Sequence, residues 1–66
     1  MKIFLYTYLS KYTKQAQEVE ETYRVRADSR DEAENLMVHG CADLITEHKD
    51  DMGRLESMKL IEMKEI

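Results

Sequence analysis

The sequence predicts an α+β fold: a ββαβ unit in which a three-stranded antiparallel/mixed sheet (order 2-1-3) carries one helix on one face, half of a ferredoxin-like arrangement. Three observations predict it. The first 27 residues contain two stretches rich in β-branched and aromatic residues, separated by a polar loop. From Ser29 the apolar period lengthens from two residues to the three-or-four spacing of a helix. A last stretch, RLESMKLIEMKEI, is again apolar without a helical stripe. With 66 residues, the chain has room for one domain, residues 1–66, and for a small core.

The first strand is KIFLYTYL, Lys2 to Leu9. Both of its alternate sets are apolar or aromatic, where a half-buried strand shows one apolar and one polar set. The polar run Ser10 to Gln17 reads as a long hairpin loop. In the second strand, about 18–27, the alternation is clean: Val19, Tyr23, Val25 and Ala27 against Glu18, Glu20, Thr22, Arg24 and Arg26. Glu21 is the one charged residue on the apolar side. Pairing Leu9 with Val19 gives a hairpin register that sets Leu5 opposite Tyr23 and Ile3 opposite Val25. It places Ile3, Leu5 and Leu9 under the helix, and Phe4, Tyr6 and Tyr8 on the open face opposite Arg24, Thr22 and Glu20. Phe4 and Arg24 would then form a cation–π pair.

Ser29 stands three residues before Glu32, the spacing of a capping box, and acids fill the following turn. Ala33, Leu36, Met37, Gly40, Cys41, Leu44 and Ile45 continue a helical stripe, so the helix is expected over about 30–48, ended by Lys49-Asp50-Asp51-Met52-Gly53. Gly40, inside that stripe, would let the helix approach the sheet closely, and Cys41 would be a small core residue. The final strand is expected at about 57–65. Met58 and Leu60 share one parity, and Ile61 and Met63 the other, which implies a bulge or a strand apolar on both faces. A helix is the alternative for this segment. A right-handed crossover leaves the first strand central, hence the order 2-1-3.

The charge is segregated. Between Asp28 and Asp51 eight acids face two bases, while the remainder holds eight bases and six acids, so a net −4 divides into −6 and +2. On the predicted helix and its following turn, Asp31, Glu34, Asp43, Glu47, Asp50 and Asp51 form an acidic rim suited to a basic protein surface. The three open-face rings Phe4, Tyr6 and Tyr8, with Arg24, make a second candidate interaction patch of the residue types enriched at interfaces. The expected protein-binding residues are therefore Phe4, Tyr6, Tyr8, Arg24, Asp31, Glu34, Asp43 and Glu47. The overall acidity, and the lack of a glycine-aromatic motif of the RNA-recognition type, argue against direct nucleic-acid binding, with stacking of single strands on the rings as the third alternative.

Catalytic and metal chemistry find no footing. There is no Ser-His-Asp or Cys-His arrangement, no glycine-rich phosphate loop and no carboxylate pair in an apolar setting, so no enzyme is expected. His39, Cys41, Asp43 and His48 do not converge on one helix face, so neither a metal nor another cofactor is expected. His39 reads as a solvated residue, and His48 as lying near the stripe's edge at the helix end. A lone cysteine excludes an internal disulfide and fits a reducing, cytoplasmic setting. No signal peptide is read at the N-terminus and no apolar run is long enough to span a membrane.

The stretch YRVRADSRDEAENLM, residues 23–37, resembles a local pattern of many small, uncharacterised bacterial and phage proteins: a strand, an Asp-Ser cap, then a helix beginning Glu-Ala. The resemblance covers about a quarter of the chain. It implies a phage or mobile-element accessory product, a class that includes anti-CRISPR and other anti-defence inhibitors, active in the host cytoplasm. The expectation is then a small acidic non-enzymatic binding protein that inhibits or regulates a larger protein or nucleoprotein complex, one with a basic groove for the acidic rim. A homodimer packed through the sheet face is the alternative.

Overall fold

The computed structural model describes residues 1–47 and 51–66. In chain order the elements are β1 (Lys2–Tyr12), β2 (Val19–Ala27), α1 (Arg30–Val38), β3 (Asp43–Leu44) and β4 (Leu55–Glu65). The sheet has four strands in the order β3-β2-β1-β4, every neighbouring pair antiparallel. The α+β class and the central first strand are as expected. The added strand is β3, on the outer edge of β2.

Where the helix stops explains that extra strand. Expected to reach residue 48, α1 ends at Val38, with Gly40 in the left-handed region at φ 72°. The Gly40 N–H donates to the Met37 carbonyl at 3.1 Å and the Cys41 N–H to the Leu36 carbonyl at 2.8 Å, the paired closing bonds of a Schellman motif. Gly40 thus terminates the helix and does not serve as a point of close helix–sheet approach. The chain released beyond it pairs with β2: Tyr23 faces Leu44, Arg24 faces Asp43, and the Ile45 N–H donates to the Thr22 carbonyl at 2.9 Å. A strand edge left open is a row of unpaired polar groups, and β3 covers part of it. Cys41 is exposed, as is His39. Residue 48 and the Lys49-Asp50 part of the expected terminator lie outside the described residues. At the other end, Ser29 caps α1 as expected: its backbone is extended and its hydroxyl accepts from the Glu32 N–H at 3.2 Å.

The hairpin register differs from the expected one by a single residue. Ser10, not Leu9, lies opposite Val19, and Phe4 lies opposite Val25, Tyr6 opposite Tyr23 and Tyr8 opposite Glu21. Because side chains alternate with period two, that shift exchanges the two faces of β1. The rings Phe4, Tyr6 and Tyr8 face α1, while Ile3, Leu5, Thr7 and Leu9 face away, opposite Arg26, Arg24, Thr22 and Glu20. The reason is area. An aromatic ring buries roughly 150–250 Å², so three of them outweigh three aliphatic chains when a single helix can cover only one face.

The core is Phe4, Tyr6, Val25, Ala27 and Ala33, with Tyr8, Leu36, Met37, Ala42 and Met63 packed against it. Nine residues of helix span about 13 Å at ~1.5 Å per residue, against a molecule 37 Å long. The helix therefore covers only one part of its face, and Leu55, Met58 and Leu60 on β4 remain exposed. The expected irregularity of the last strand is present, with register shifts at Thr7/Tyr8 and Lys11/Tyr12. The hairpin loop is tied to the start of β4. The Thr13 N–H donates to the Arg54 carbonyl at 2.9 Å, the Lys14 N–H to the Met52 carbonyl at 3.0 Å, and Lys14 Nζ to Asp51 Oδ2 at 2.8 Å.

Candidate protein-interaction surfaces

The aromatic patch expected on the open face is the floor of the core. Phe4 is 1% exposed and Tyr6 3%. Tyr8 is half-buried, its ring edge-on to Tyr23 at a centroid distance of 5.8 Å. None of these rings is presented as a stacking platform or a contact patch, and Arg24 projects from the opposite face beside Leu5, away from Phe4. The predicted cation–π pair is absent for the same one-residue reason.

The same face holds a group that hydropathy could not evaluate. Glu21 is fully buried, opposite Tyr8, and the Tyr12 hydroxyl donates to both of its carboxylate oxygens at 2.7 Å. Its sequence signal was its standing as the single charged residue on the apolar side of β2. Burial pushes Tyr12 above the ordinary tyrosine value, reinforced by the bond to Glu21 and that carboxylate's charge. Tyr23 is raised by burial and then by Glu21, Tyr6 by burial and then by Glu34, and Tyr8 by burial. Four tyrosines along one sheet face are thus held in their neutral form.

The acidic residues are displayed, though not on one helix. Asp31 and Glu34 are exposed on α1, where Glu34 meets Arg30 one turn away at 3.4 Å. Because α1 stops at Val38, Asp43 belongs to β3 and Glu47 to the segment after it; both are exposed. Asp43 pairs with Arg24 at 3.4 Å, so the structure joins one residue of each predicted patch. From Asp28 to Glu47 six carboxylates (Asp28, Asp31, Glu32, Glu34, Asp43, Glu47) are exposed against the single base Arg30. Asp50 lies outside the described residues. The same segment exposes three large apolar side chains: Val38 at 81%, Leu44 at 42% and Ile45 at 46%.

The opposite sheet face carries a residue set that sequence reasoning had assigned to the core. Ile3, Leu5, Thr7 and Leu9 run down its middle, half-buried, with Thr7 and Thr22 hydroxyls 3.1 Å apart. Arg24, Arg26 and Glu20 flank them on β2, and Lys64, Glu62 and Lys59 on β4. The long stems of these residues shade the aliphatic stripe while their charged ends reach water.

Among the described residues, no group of three or more His, Cys, Asp or Glu is placed to hold a metal ion, and no helix is long and apolar enough to cross a membrane. No protein-family model matches the chain, and neither does any curated protein or solved structure.

Proposed function

We propose that this chain is a small non-enzymatic binding protein that inhibits or regulates a larger protein or nucleoprotein complex by surface contact, of the phage or mobile-element type. The observation that carries the reading is the exposed acidic segment Asp28–Glu47, which displays six carboxylates together with the exposed apolar side chains Val38, Leu44 and Ile45. A strong negative field steers association with a basic surface, and apolar residues within it supply area that such a contact can desolvate. Asp31, Glu34 and Glu47 are the residues that would meet a partner's basic groove, with Asp43 held at the edge by Arg24. The rings named in the sequence reading take no part, because they form the core.

The test is affinity capture from bacterial lysate, comparing the native chain with a variant carrying Asp31→Lys, Glu34→Lys and Glu47→Lys. A partner retained by the native chain at low salt should be lost from the variant and released as salt rises, since exposed charges are screened within about 10 Å at 0.1 M. Recovery of the same partner by both proteins would rule out the acidic segment as the interface.

A further inference from the structure

β4 lies at the edge of the sheet, and among the described residues no strand pairs with its outer side. The strand is 11 residues long, and the large apolar side chains of Met58, Leu60 and Ile61 are exposed along it. An edge of that length is a template for another strand, which proteins guard against with charges and bulges. Both guards are present here, and they are arranged so that the strand complements itself. We infer that β4 pairs antiparallel with β4 of a second copy, about a two-fold axis perpendicular to the sheet at the level between Leu60 and Ile61, so that two sheets become one.

The bulge makes the match. Thr7 is opposite Glu62 and Tyr8 opposite Leu60, so Ile61 is the extra residue. In a regular strand residues three apart point to opposite faces. Across the bulge, Lys59, opposite Leu9, and Glu62, opposite Thr7, both face away from α1. Met58, opposite Ser10, and Met63, opposite Tyr6, both face α1. A two-fold perpendicular to the sheet keeps every side chain on its own face, so only residues that share a face become cross-strand partners. Here Lys59 meets Glu62 of the second copy, Met58 meets its Met63, Leu60 its Ile61 and Ser57 its Lys64.

The backbone agrees with that pairing. The Ile66 N–H donates to the Ile3 carbonyl at 2.8 Å, so Ile66 turns its polar groups toward β1. Followed back along the register, Lys64, Glu62, Lys59 and Ser57 also turn theirs toward β1, which leaves those of Met63 and Met58 on the outer edge. Met58 and Met63 are thus a hydrogen-bonding pair of the new ladder. Lys59 and Glu62 are a non-hydrogen-bonded pair, the kind whose side chains come closest.

Other registers lose the match. A slip of one residue sets Glu62 against Met58 or Leu60, and a slip of two sets Lys59 against Lys64 or Leu60. Parallel pairing in register sets Lys59 on Lys59 and Glu62 on Glu62. Lys59 has no ion-pair partner among the described residues. Glu62 meets Lys64 of its own chain through one oxygen at 3.5 Å, in a largely exposed pair, and its second oxygen remains to accept Lys59. Where the pairing ends, Glu56 and Glu65 approach each other, but Lys11 and Lys2 of their own chains already hold them at 3.7 and 3.6 Å. β3, with Asp43 of the acidic segment, is on the opposite edge of the sheet, so the dimer leaves that segment free at each end.

Sedimentation equilibrium should give a mass of twice 7.8 kDa for the native chain, falling to one chain on dilution. Lys59→Glu sets glutamate on glutamate at both symmetric positions, and Glu62→Lys sets lysine on lysine; each should weaken the dimer at least about tenfold. Mixed in equal amounts, the two variants should restore it, because both cross-strand pairs are then again of opposite sign. Circular dichroism checks that each variant folds. Amide hydrogen exchange of the native chain needs no variant: exchange at Met58 and Met63 should slow as concentration rises, since their N–H groups are the ones the second copy occupies. A native chain that stays a single copy at about 1 mM overturns the inference. So does a dimer that survives both single variants, a mixture that stays dissociated, or a dimer in which those two amides exchange as fast as in the dilute chain.

Discussion

At the scale of single residues, the tyrosines govern how the protein responds to pH. Tyr6, Tyr8, Tyr12 and Tyr23 all titrate above the ordinary value of 10.0, burial being the leading cause in each. A group that holds its proton more tightly when folded stabilises the fold fully below its unfolded value, and that contribution is lost as pH rises through the folded one. The protein should therefore keep its stability up to about pH 10 and lose it progressively above. Ultraviolet absorbance should show phenolate formation delayed relative to free tyrosine and coincident with loss of the circular dichroism signal. Phenolates appearing near the ordinary value, with the fold intact, would show that these rings are not held by burial. The sequence told only part of this: Glu21 stood out as a charge among apolar neighbours, but nothing in one dimension brings the Tyr12 hydroxyl to it across a hairpin.

At the scale of elements, two glycines end what precedes them for different reasons. Gly40 closes α1 at φ 72°, and a Cβ built there would meet nothing within 4 Å. Gly40→Ala should cost about 1–2 kcal/mol from the left-handed backbone alone. Gly53 has φ 83°, and its Cβ would collide with the Thr13 hydroxyl and approach the Lys14 backbone nitrogen at 3.2 Å, where the hairpin loop is tied to β4. Gly53→Ala should therefore cost clearly more than Gly40→Ala in urea denaturation; equal costs would mean that the loop clasp yields freely. The helix start was legible because Ser29 and its acidic first turn are local signals. Its end was not, because Leu44 and Ile45 continue the helical period by coincidence while β2 offers them an unpaired edge.

At the scale of the whole molecule, the fold is a thin sheet with a short helix over part of one face, and only a few side chains are fully buried. Domains of this size are marginally stable, so which face of β1 is the core can be measured directly. Phe4→Ala should cost about 3–5 kcal/mol, enough to unfold much of the population, while Leu5→Ala on the opposite face should cost no more than about 1 kcal/mol. The reverse order in thermal melts would restore the other register.

The sequence by itself determined the α+β class, the central place of β1, the capped start of α1 and the segregation of acidic charge. These follow from period, composition and local capping chemistry, which neighbouring residues settle among themselves. Only the tertiary structure decided the hairpin register, and with it which side of β1 is core. Both alternate sets of KIFLYTYL are apolar, so the period-two pattern allows either face. A one-residue slip exchanges them, and the choice falls to the larger aromatic area once one helix is there to cover it. The same contest placed Leu44 beside β2 instead of in the helix, since an unpaired strand edge is satisfied by a chain that arrives from elsewhere in the fold.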